Sequence, residues 1–266
     1  MVQTNSDLLL FATVRIETDE SVGTGFFYNR LINGRSYPFI VTNRHVIEES
    51  NKGKLFFTRS LGNGKPDIGN IVHFETTNFA QLWFLDDING IDLAITPLIP
   101  ITHTIYQKLG HVAKITFIDS DNVITLTTAE SLSVLEDIIF VGYPDGRYDK
   151  KNYTPIIRRG ITATPVKLDY YGEPEFLIDA SVYQGSSGSP VLLYNPVMGS
   201  ARVIGSTILR PGDFLLLGII ARTLAKSSGS GDELIDLGVV IKATKIGELI
   251  DQYLLQSDKE LIEYHY

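Results

Sequence analysis

Three residues of this chain have the types that nucleophilic acyl transfer requires. His45 lies in TNRHVIEE, Asp92 lies in GIDLAITPL, and Ser187 lies in GSSGSPV, residues 185–191. A serine nucleophile needs a base that takes its proton, a carboxylate that orients this base, and N–H donors for the oxyanion that forms. The three residues are far apart in the sequence, so only the fold can bring them together.

Neighbouring residues of the same types offer weaker alternatives. A Gly-Ser run is more often a flexible linker than a reactive turn, and a single histidine is more often structural than catalytic. Asp86 and Asp87 precede a turn, and we expect them to be solvated loop carboxylates. No motif surrounds the remaining histidines, which are His73, His103, His111 and His265.

The elements that must position these residues are mostly strands. Short runs rich in Val, Ile, Phe, Tyr and Thr are separated by Gly, Pro, Asn and Asp, a pattern that predicts an all-β barrel or sandwich. The Asn33-Gly34 pair predicts a two-residue hairpin turn between the second and third strands. The runs are residues 8–17, 23–29, 38–43, 92–98, 137–144, 176–182, 190–194, 214–220 and 237–243.

Helical periodicity is clear only near the end of the chain. From Thr244 onward, apolar residues recur with the spacing of one helix face. The Ser257-x-x-Glu260 pattern fits a capping box and predicts the start of a second short helix. The apolar residues of that face are Ile246, Leu249, Ile250, Tyr253 and Leu254.

Composition excludes several classes of function. The chain has 266 residues, a net charge of −8 and no cysteine, which argues against nucleic acid as a partner and excludes disulfides and thiolate metal sites. The first residues lack the pattern of a signal peptide, and no apolar run has the length of a membrane span. We therefore expect a cytoplasmic protein without a membrane partner, metal or other cofactor, although a mature secreted form without its leader would have the same sequence features.

The motifs, taken in order, resemble a known family. The order His, Asp, Ser, with TN-x-HV, D-L-A-[VI] and G-x-S-G-x-P, resembles the chymotrypsin (trypsin-like) serine proteases. The bacterial branch, with the HtrA (Deg) proteases and the glutamyl endopeptidases, is the more similar one. The likeness runs from about residue 8 to about residue 256, through the segments GTGFFYN, LEDIIFVGYPDG, RRGITATPV, IDASVYQGSSGSP, FLLLGII and LGVVIKATKIGELI.

This resemblance implies an all-β fold of two antiparallel six-stranded β-barrels with a C-terminal α-helix. The N-terminal barrel would span 8–115, the C-terminal barrel 125–245, and the helix and tail 246–266. His45 would be the general base, Asp92 would orient it and Ser187 would be the nucleophile. Gly185, Ser186 and Ser187 would form the oxyanion hole, with the N–H groups of Gly185 and Ser187 as donors.

The resemblance also implies a substrate pocket, whose residues we predict by position. No carboxylate lies at its base, so we expect a small or medium uncharged side chain at the cleaved bond and not Lys or Arg. Ile220 replaces the histidine with which glutamyl endopeptidases read glutamate, and this leaves glutamate specificity unsupported. The predicted pocket residues are Ser181, Val182, Ala221, Arg222, Thr223 and Gly238 to Val240.

Two further departures limit what the resemblance implies. Ser186 replaces the aspartate that pairs with a freed N-terminus in digestive members, so activation by N-terminal cleavage is not implied. No PDZ domain follows the terminal helix, in contrast to HtrA proteins. The expected function is serine endopeptidase activity on a protein or peptide substrate. The alternative is a protease-fold binding or sensor module that is inactive or needs an activating protein partner.

Overall fold

A computed structural model describes residues 5–196, 199–228 and 231–263. A nine-stranded sheet spans the N-terminal half of these residues. The order of its main path is β5-β4-β1-β2-β3-β7-β6, with β8 on β4 and β9 on β2. The strands are β1 (Thr13–Thr18), β2 (Val22–Ile32), β3 (Arg35–Thr42), β4 (Gly53–Ser60), β5 (Pro66–Thr76), β6 (Phe84–Leu85), β7 (Ala94–Pro97), β8 (Val112–Ala113) and β9 (Ile118–Asp119).

The C-terminal half forms a closed antiparallel barrel of six strands. Its order is β10-β11-β12-β17-β16-β13, and a separate hairpin joins β14 to β15. The strands are β10 (Asp137–Gly142), β11 (Ile156–Thr162), β12 (Glu175–Asp179), β13 (Pro190–Tyr194), β14 (Arg202–Ile204), β15 (Thr207–Leu209), β16 (Phe214–Ser228) and β17 (Gly231–Lys242). The predicted all-β class is confirmed.

The N-terminal half differs in detail from the expected six-stranded barrel. Six longer strands are present in the described residues, and three two-residue strands extend the sheet, which does not appear there as a closed ring. Such short strands carry too few residues to show alternation in the sequence. The proposed boundaries at 8–115, 125–245 and 246–266 remain predictions.

Turn and helix predictions near the ends of strands have mixed outcomes. Asn33 and Gly34 have φ values of 50° and 75° and join β2 to β3, as the Asn-Gly pair predicts. The second helix predicted at Ser257 is wrong, because the terminal helix continues to Glu263. The hydroxyl of Ser257 instead donates back to the carbonyl of Tyr253, 3.0 Å away, inside the helix.

A twelve-residue helix in the N-terminal half was not predicted. It follows β7, buries Leu98, Ile101 and Ile105 on one face, and ends at Gly110, whose φ is 66°. Glycine at that position avoids the steric cost of a left-handed backbone. The described helices are α1 (Asn5–Leu8), α2 (Arg44–Ile47), α3 (Leu98–Leu109), α4 (Leu126–Glu130) and α5 (Thr244–Glu263), and none of them could cross a membrane.

One hydrophobic cluster joins the two halves and the terminal helix. Phe26 and Val41 from the first sheet pack with Leu192 and Ile219 from the barrel and with Ile250 of α5. All five side chains are buried. Burial of large apolar side chains is the main stabilising contribution to such contacts. The shared cluster therefore fixes the strand ends of one half against those of the other, where the predicted site residues lie.

Candidate active site

Regular strand pairing brings His45 and Asp92 together. The end of β3 pairs with the start of β7, and Thr42 lies opposite Ala94 in the register. His45 follows Thr42 in the short helix α2, and Asp92 lies two residues before the start of β7. The buried Asn43 links the two segments, because its side-chain amide donates to the backbone carbonyl of Asp92 over 2.8 Å.

The carboxylate of Asp92 holds His45 at two points. Asp92 Oδ1 accepts the backbone N–H of His45 at 3.0 Å, and Oδ2 lies 2.7 Å from the ring atom Nδ1. With a proton on Nδ1, the neutral imidazole leaves Nε2 free to accept one. Half of the His45 side chain is exposed, so this nitrogen is accessible from solvent.

Ser187 lies in a turn that two glycines with positive φ make possible. Gly185 has φ 83° and Gly188 has φ 88°, a region that strongly favours glycine. A Cβ on Gly188 would lie 1.7 Å from the carbonyl oxygen of Thr24, and one on Gly185 would lie 2.6 Å from that of Tyr143. The stretch GSSGSPV is therefore a tightly packed turn and not a linker.

The backbone N–H groups of this turn divide into two sets. Ser186 donates to the carbonyl of Tyr183 at 2.9 Å, Gly188 to that of Ile220 at 2.9 Å, and Ser189 to that of Ser186 at 3.0 Å. Within the described ranges, the N–H groups of Gly185 and Ser187 have no acceptor. Ser186, the third predicted member of the oxyanion hole, thus uses its N–H inside the turn.

The hydroxyl of Ser187 donates to the backbone carbonyl of Ala221, 3.0 Å away. Among the side chains that the structure describes, no hydrogen bond joins Ser187 to His45. Ala221 lies at an irregularity between β16 and β17, where the register shifts between Ile220 and Arg222. Its carbonyl is therefore available to partners outside the sheet.

Thr24, at the start of β2, connects the Ser187 turn to the rest of the site, and our sequence reasoning missed it. Its hydroxyl donates to the carbonyl of Gly185 at 2.9 Å and accepts the N–H of Tyr143 at 3.0 Å. Its backbone N–H donates to the carbonyl of Ser187 at 2.9 Å, and its own carbonyl accepts from the hydroxyl of Thr42. The only sequence signal for Thr24 is its position in GTGFFYN, a segment that resembles the family.

The predicted pocket residues fall into two groups. Val182 and Val240 are buried in the core of the C-terminal barrel, and a Cβ on Gly238 would lie 2.6 Å from Val182. Ser181 and Thr223 remain partly accessible. The hydroxyl of Thr223 donates to the carbonyl of Leu237, on the neighbouring strand.

Arg222 forms a two-pronged ion pair beside the site. Its Nη1 and Nη2 each lie 2.7 Å from a carboxylate oxygen of Glu175, a residue that is largely buried. These hydrogen bonds hold the pKa of Arg222 above its ordinary value, and the charge of Asp92 acts in the same direction. The positive charge of Arg222 therefore lies within electrostatic range of the His45–Asp92 pair.

Asp86 and Asp87 were both expected to be solvated loop carboxylates, and only Asp87 is one. Asp87 is exposed and binds Arg44 at 2.9 Å, as a solvated loop carboxylate would. Asp86 is buried, so its predicted solvation is wrong. Its Oδ1 accepts the backbone N–H of Asn89 at 2.9 Å, which closes the turn before β7 and replaces the lost water.

The chain is similar to known peptidase domains in sequence and to known proteases in structure. The family model described as the trypsin-like peptidase domain matches residues 23–195. No curated protein sequence matches the chain. Solved structures similar to it include the Rv3671c protease of M. tuberculosis H37Rv in its inactive form (20% identity, 94% of this chain and 92% of that chain, TM-score 0.43) and the MamO protease domain of Magnetospirillum magneticum in its apo form (13%, 91% and 97%, 0.48).

Proposed function

Because this chain belongs to the trypsin-like peptidase domain family, we propose that it is a serine endopeptidase acting through Ser187, His45 and Asp92. The observation that carries this proposal is that Asp92 accepts hydrogen bonds from the backbone N–H and the ring Nδ1 of His45, which orients the ring and leaves Nε2 as a proton acceptor. A family of peptidase domains has protein or peptide substrates. The predicted cytoplasmic location remains part of the proposal.

The proposed reaction has two halves. Ser187 Oγ attacks the carbonyl carbon of the peptide bond while its proton passes to His45 Nε2. The carbonyl oxygen becomes an anion that the N–H groups of Gly185 and Ser187 would bind. The C–N bond breaks, the imidazolium gives its proton to the leaving amine, and water then hydrolyses the acyl-serine ester with His45 again as the base.

The hydrogen bond from Ser187 to Ala221 sets one condition on this mechanism. A rotation about the Cα–Cβ bond of Ser187 must first turn the hydroxyl from that carbonyl toward His45. An extended substrate that pairs with the irregular edge at Ala221 would offer its own N–H to this carbonyl. Substrate binding would then release the nucleophile, so the rotation is part of the catalytic cycle.

The same hydrogen bond favours a second candidate function. A domain whose Ser187 hydroxyl is hydrogen-bonded to Ala221 could serve as a binding or sensor module. It would become catalytically active only when a protein partner orders the turn. The two candidates differ in one property of the isolated chain. An autonomous peptidase forms an acyl-enzyme with substrate alone, whereas a partner-dependent module does not.

Hydrolysis of an activated ester tests the proposal. We expect a burst of released alcohol and an acyl adduct of the intact chain after acid quenching, because deacylation stops when His45 is protonated. Ser187→Ala and His45→Ala should abolish the adduct. His103→Ala, which removes an exposed histidine of α3, is the matched control and should behave as wild type. Absence of an adduct on folded wild-type protein would favour the partner-dependent module.

A further inference from the structure

Arg158, on β11, carries a positive charge to the segment that leads into the Ser187 turn. Its Nη1 donates to the backbone carbonyl of Ser181. The central carbon of its guanidinium lies 5.1 Å from the ring centroid of Tyr183 and 5.7 Å from that of Phe140. One acceptor and two aromatic rings therefore fix the position of this group.

The neighbouring arginine provides a contrast. Arg159 points to the opposite face of β11, because side chains alternate along a strand, and it forms an exposed ion pair with Asp137 at 2.7 Å. Asp179, on the adjacent strand β12, lies opposite Ile161 and so shares the face of Arg159. Arg158 lies opposite the buried Phe140 and forms no ion pair with any carboxylate in the described part of the chain.

We propose that Arg158 reads the substrate side chain at the cleaved bond and gives the site a preference for Glu or Asp there. The proposal rests on the proposed function, because family resemblance is what places Ser181 at the base of the pocket. It replaces the uncharged preference that we expected from the sequence. Arg158 would bind an acidic side chain even though Ile220 occupies the position at which glutamyl endopeptidases have a glutamate-binding histidine.

The chemistry of the guanidinium supports this assignment. Arginine has five N–H donors, and the hydrogen bond to Ser181 uses Nη1 alone, so donors remain for a second acceptor. A carboxylate fits the planar fork of a guanidinium with two parallel hydrogen bonds, and a partly buried carboxylate needs an opposite charge nearby. A half-buried arginine without an ion-pair partner, hydrogen-bonded to a residue of the predicted pocket, would therefore favour an anion over a neutral side chain of the same shape.

Binding to the Ser187→Ala variant tests the inference without requiring catalysis. Fluorescein-labelled decapeptides that are identical except for Glu, Gln or Leu at the cleaved position would be titrated by fluorescence anisotropy. We expect the Glu peptide to bind about 10- to 100-fold more tightly than the isosteric Gln peptide, because only the Glu carboxylate can form charged hydrogen bonds with Arg158. The wild-type enzyme should show the same order in kcat/KM.

Two variants isolate the charge of Arg158. In the Ser187→Ala background, Arg158→Gln should remove the Glu-over-Gln preference while leaving affinity for the Gln peptide unchanged, and Arg158→Lys should keep part of it. Arg159→Gln removes the same charge from the outer face and should leave the preference intact. A uniform loss for all peptides with Arg158→Gln, or a wild-type preference for Gln or Leu, would overturn the inference.

The inference and the proposed function fail in different ways. Hydrolysis through Ser187 without a preference for acidic residues would leave the peptidase proposal in place and overturn the role of Arg158. A Glu preference in binding that Arg158→Gln abolishes, on a chain that hydrolyses no peptide, would support the charge reader and contradict the peptidase. Circular dichroism of each variant verifies that it is folded.

Discussion

The two sides of the candidate site are built by different means. On one side, β3 and β7 pair in regular register, and Asp92 fixes both the backbone and the ring of His45. On the other side, a loop turn with two left-handed glycines presents Ser187, whose hydroxyl donates to Ala221. The proposed base His45 is thus already oriented, whereas the hydroxyl of the proposed nucleophile Ser187 donates to a carbonyl that could instead accept a hydrogen bond from a substrate.

This difference shows where the site can change state. Moving His45 from Asp92 would break hydrogen bonds that strand pairing supports, but turning the Ser187 hydroxyl needs only a side-chain rotation. Ser187 is partly buried, and a side-chain rotation is faster than a rearrangement of the backbone. Any slow activation of this site should therefore involve the turn of Gly185 to Gly188 and not the His45–Asp92 pair.

The largest expected effect on catalysis comes from removing the carboxylate of Asp92, which orients His45. Asp92→Asn should lower kcat by about 10,000-fold, because the amide favours the wrong tautomer of His45. Chemical denaturation should show that folding is retained. Asp87→Asn, which alters an exposed aspartate bound to Arg44, is the matched control and should keep full activity. Comparable activity of the two variants would refute the orienting role of Asp92.

Packing of the serine turn gives the second effect. Gly188→Ala should lower the free energy of unfolding by at least about 2 kcal/mol more than Gly34→Ala, because its Cβ would strike the backbone of Thr24. Gly34 also has a positive φ but has nothing within 4 Å, so it isolates the conformational cost of about 1 to 2 kcal/mol. Urea denaturation measures both. Equal losses would argue against close packing of the turn.

The link between the two sides gives the third effect. Thr24→Val removes the hydroxyl that binds the carbonyl of Gly185 and the N–H of Tyr143. We expect acylation of Ser187 to slow by about 10- to 100-fold, because a buried N–H and a buried carbonyl lose their partner. Thr24→Ser keeps the hydroxyl and should restore the rate. Stopped-flow ester kinetics would decide, and a wild-type rate in Thr24→Val would exclude the positioning role.

The smallest effect concerns the strand that holds Ala221. Arg222→Lys loses the two-pronged geometry with Glu175, and we expect KM to rise about twofold to fivefold with kcat unchanged, because the pair is half-exposed. Arg202→Lys alters a similar pair, with Glu136, away from the site. It should leave KM unchanged. A change in kcat for Arg222→Lys would place Arg222 in the chemical step instead.

Much of this site was predictable because its residues lie in local motifs. His45, Asp92 and Ser187 each follow or precede an apolar strand with distinctive neighbours, and the structure places His45 against Asp92 as a shared site requires. The Asn33–Gly34 turn and the start of α5 were predictable for the same reason, since turn chemistry and helical spacing are local properties.

The features that were missed depend on register and tertiary contact. The β-branched residues of ITHTI obscured α3, although Leu98, Ile101 and Ile105 have helical spacing. Arg158 and Arg159 are adjacent and chemically identical in the sequence, and only the pairing of β10 with β11 separates a buried-face charge from a solvated one. The hydrogen bonds of Thr24 cross more than 100 residues, so no local pattern reveals them.

Labelling with a fluorophosphonate, followed by the mass of the intact chain, tests the central claim most directly. We expect one adduct on Ser187 without any partner, absent from Ser187→Ala and His45→Ala but retained in Ser186→Ala and His103→Ala. No adduct on folded wild-type protein, or an adduct that persists in Ser187→Ala, would contradict the proposed role of Ser187 as the nucleophile.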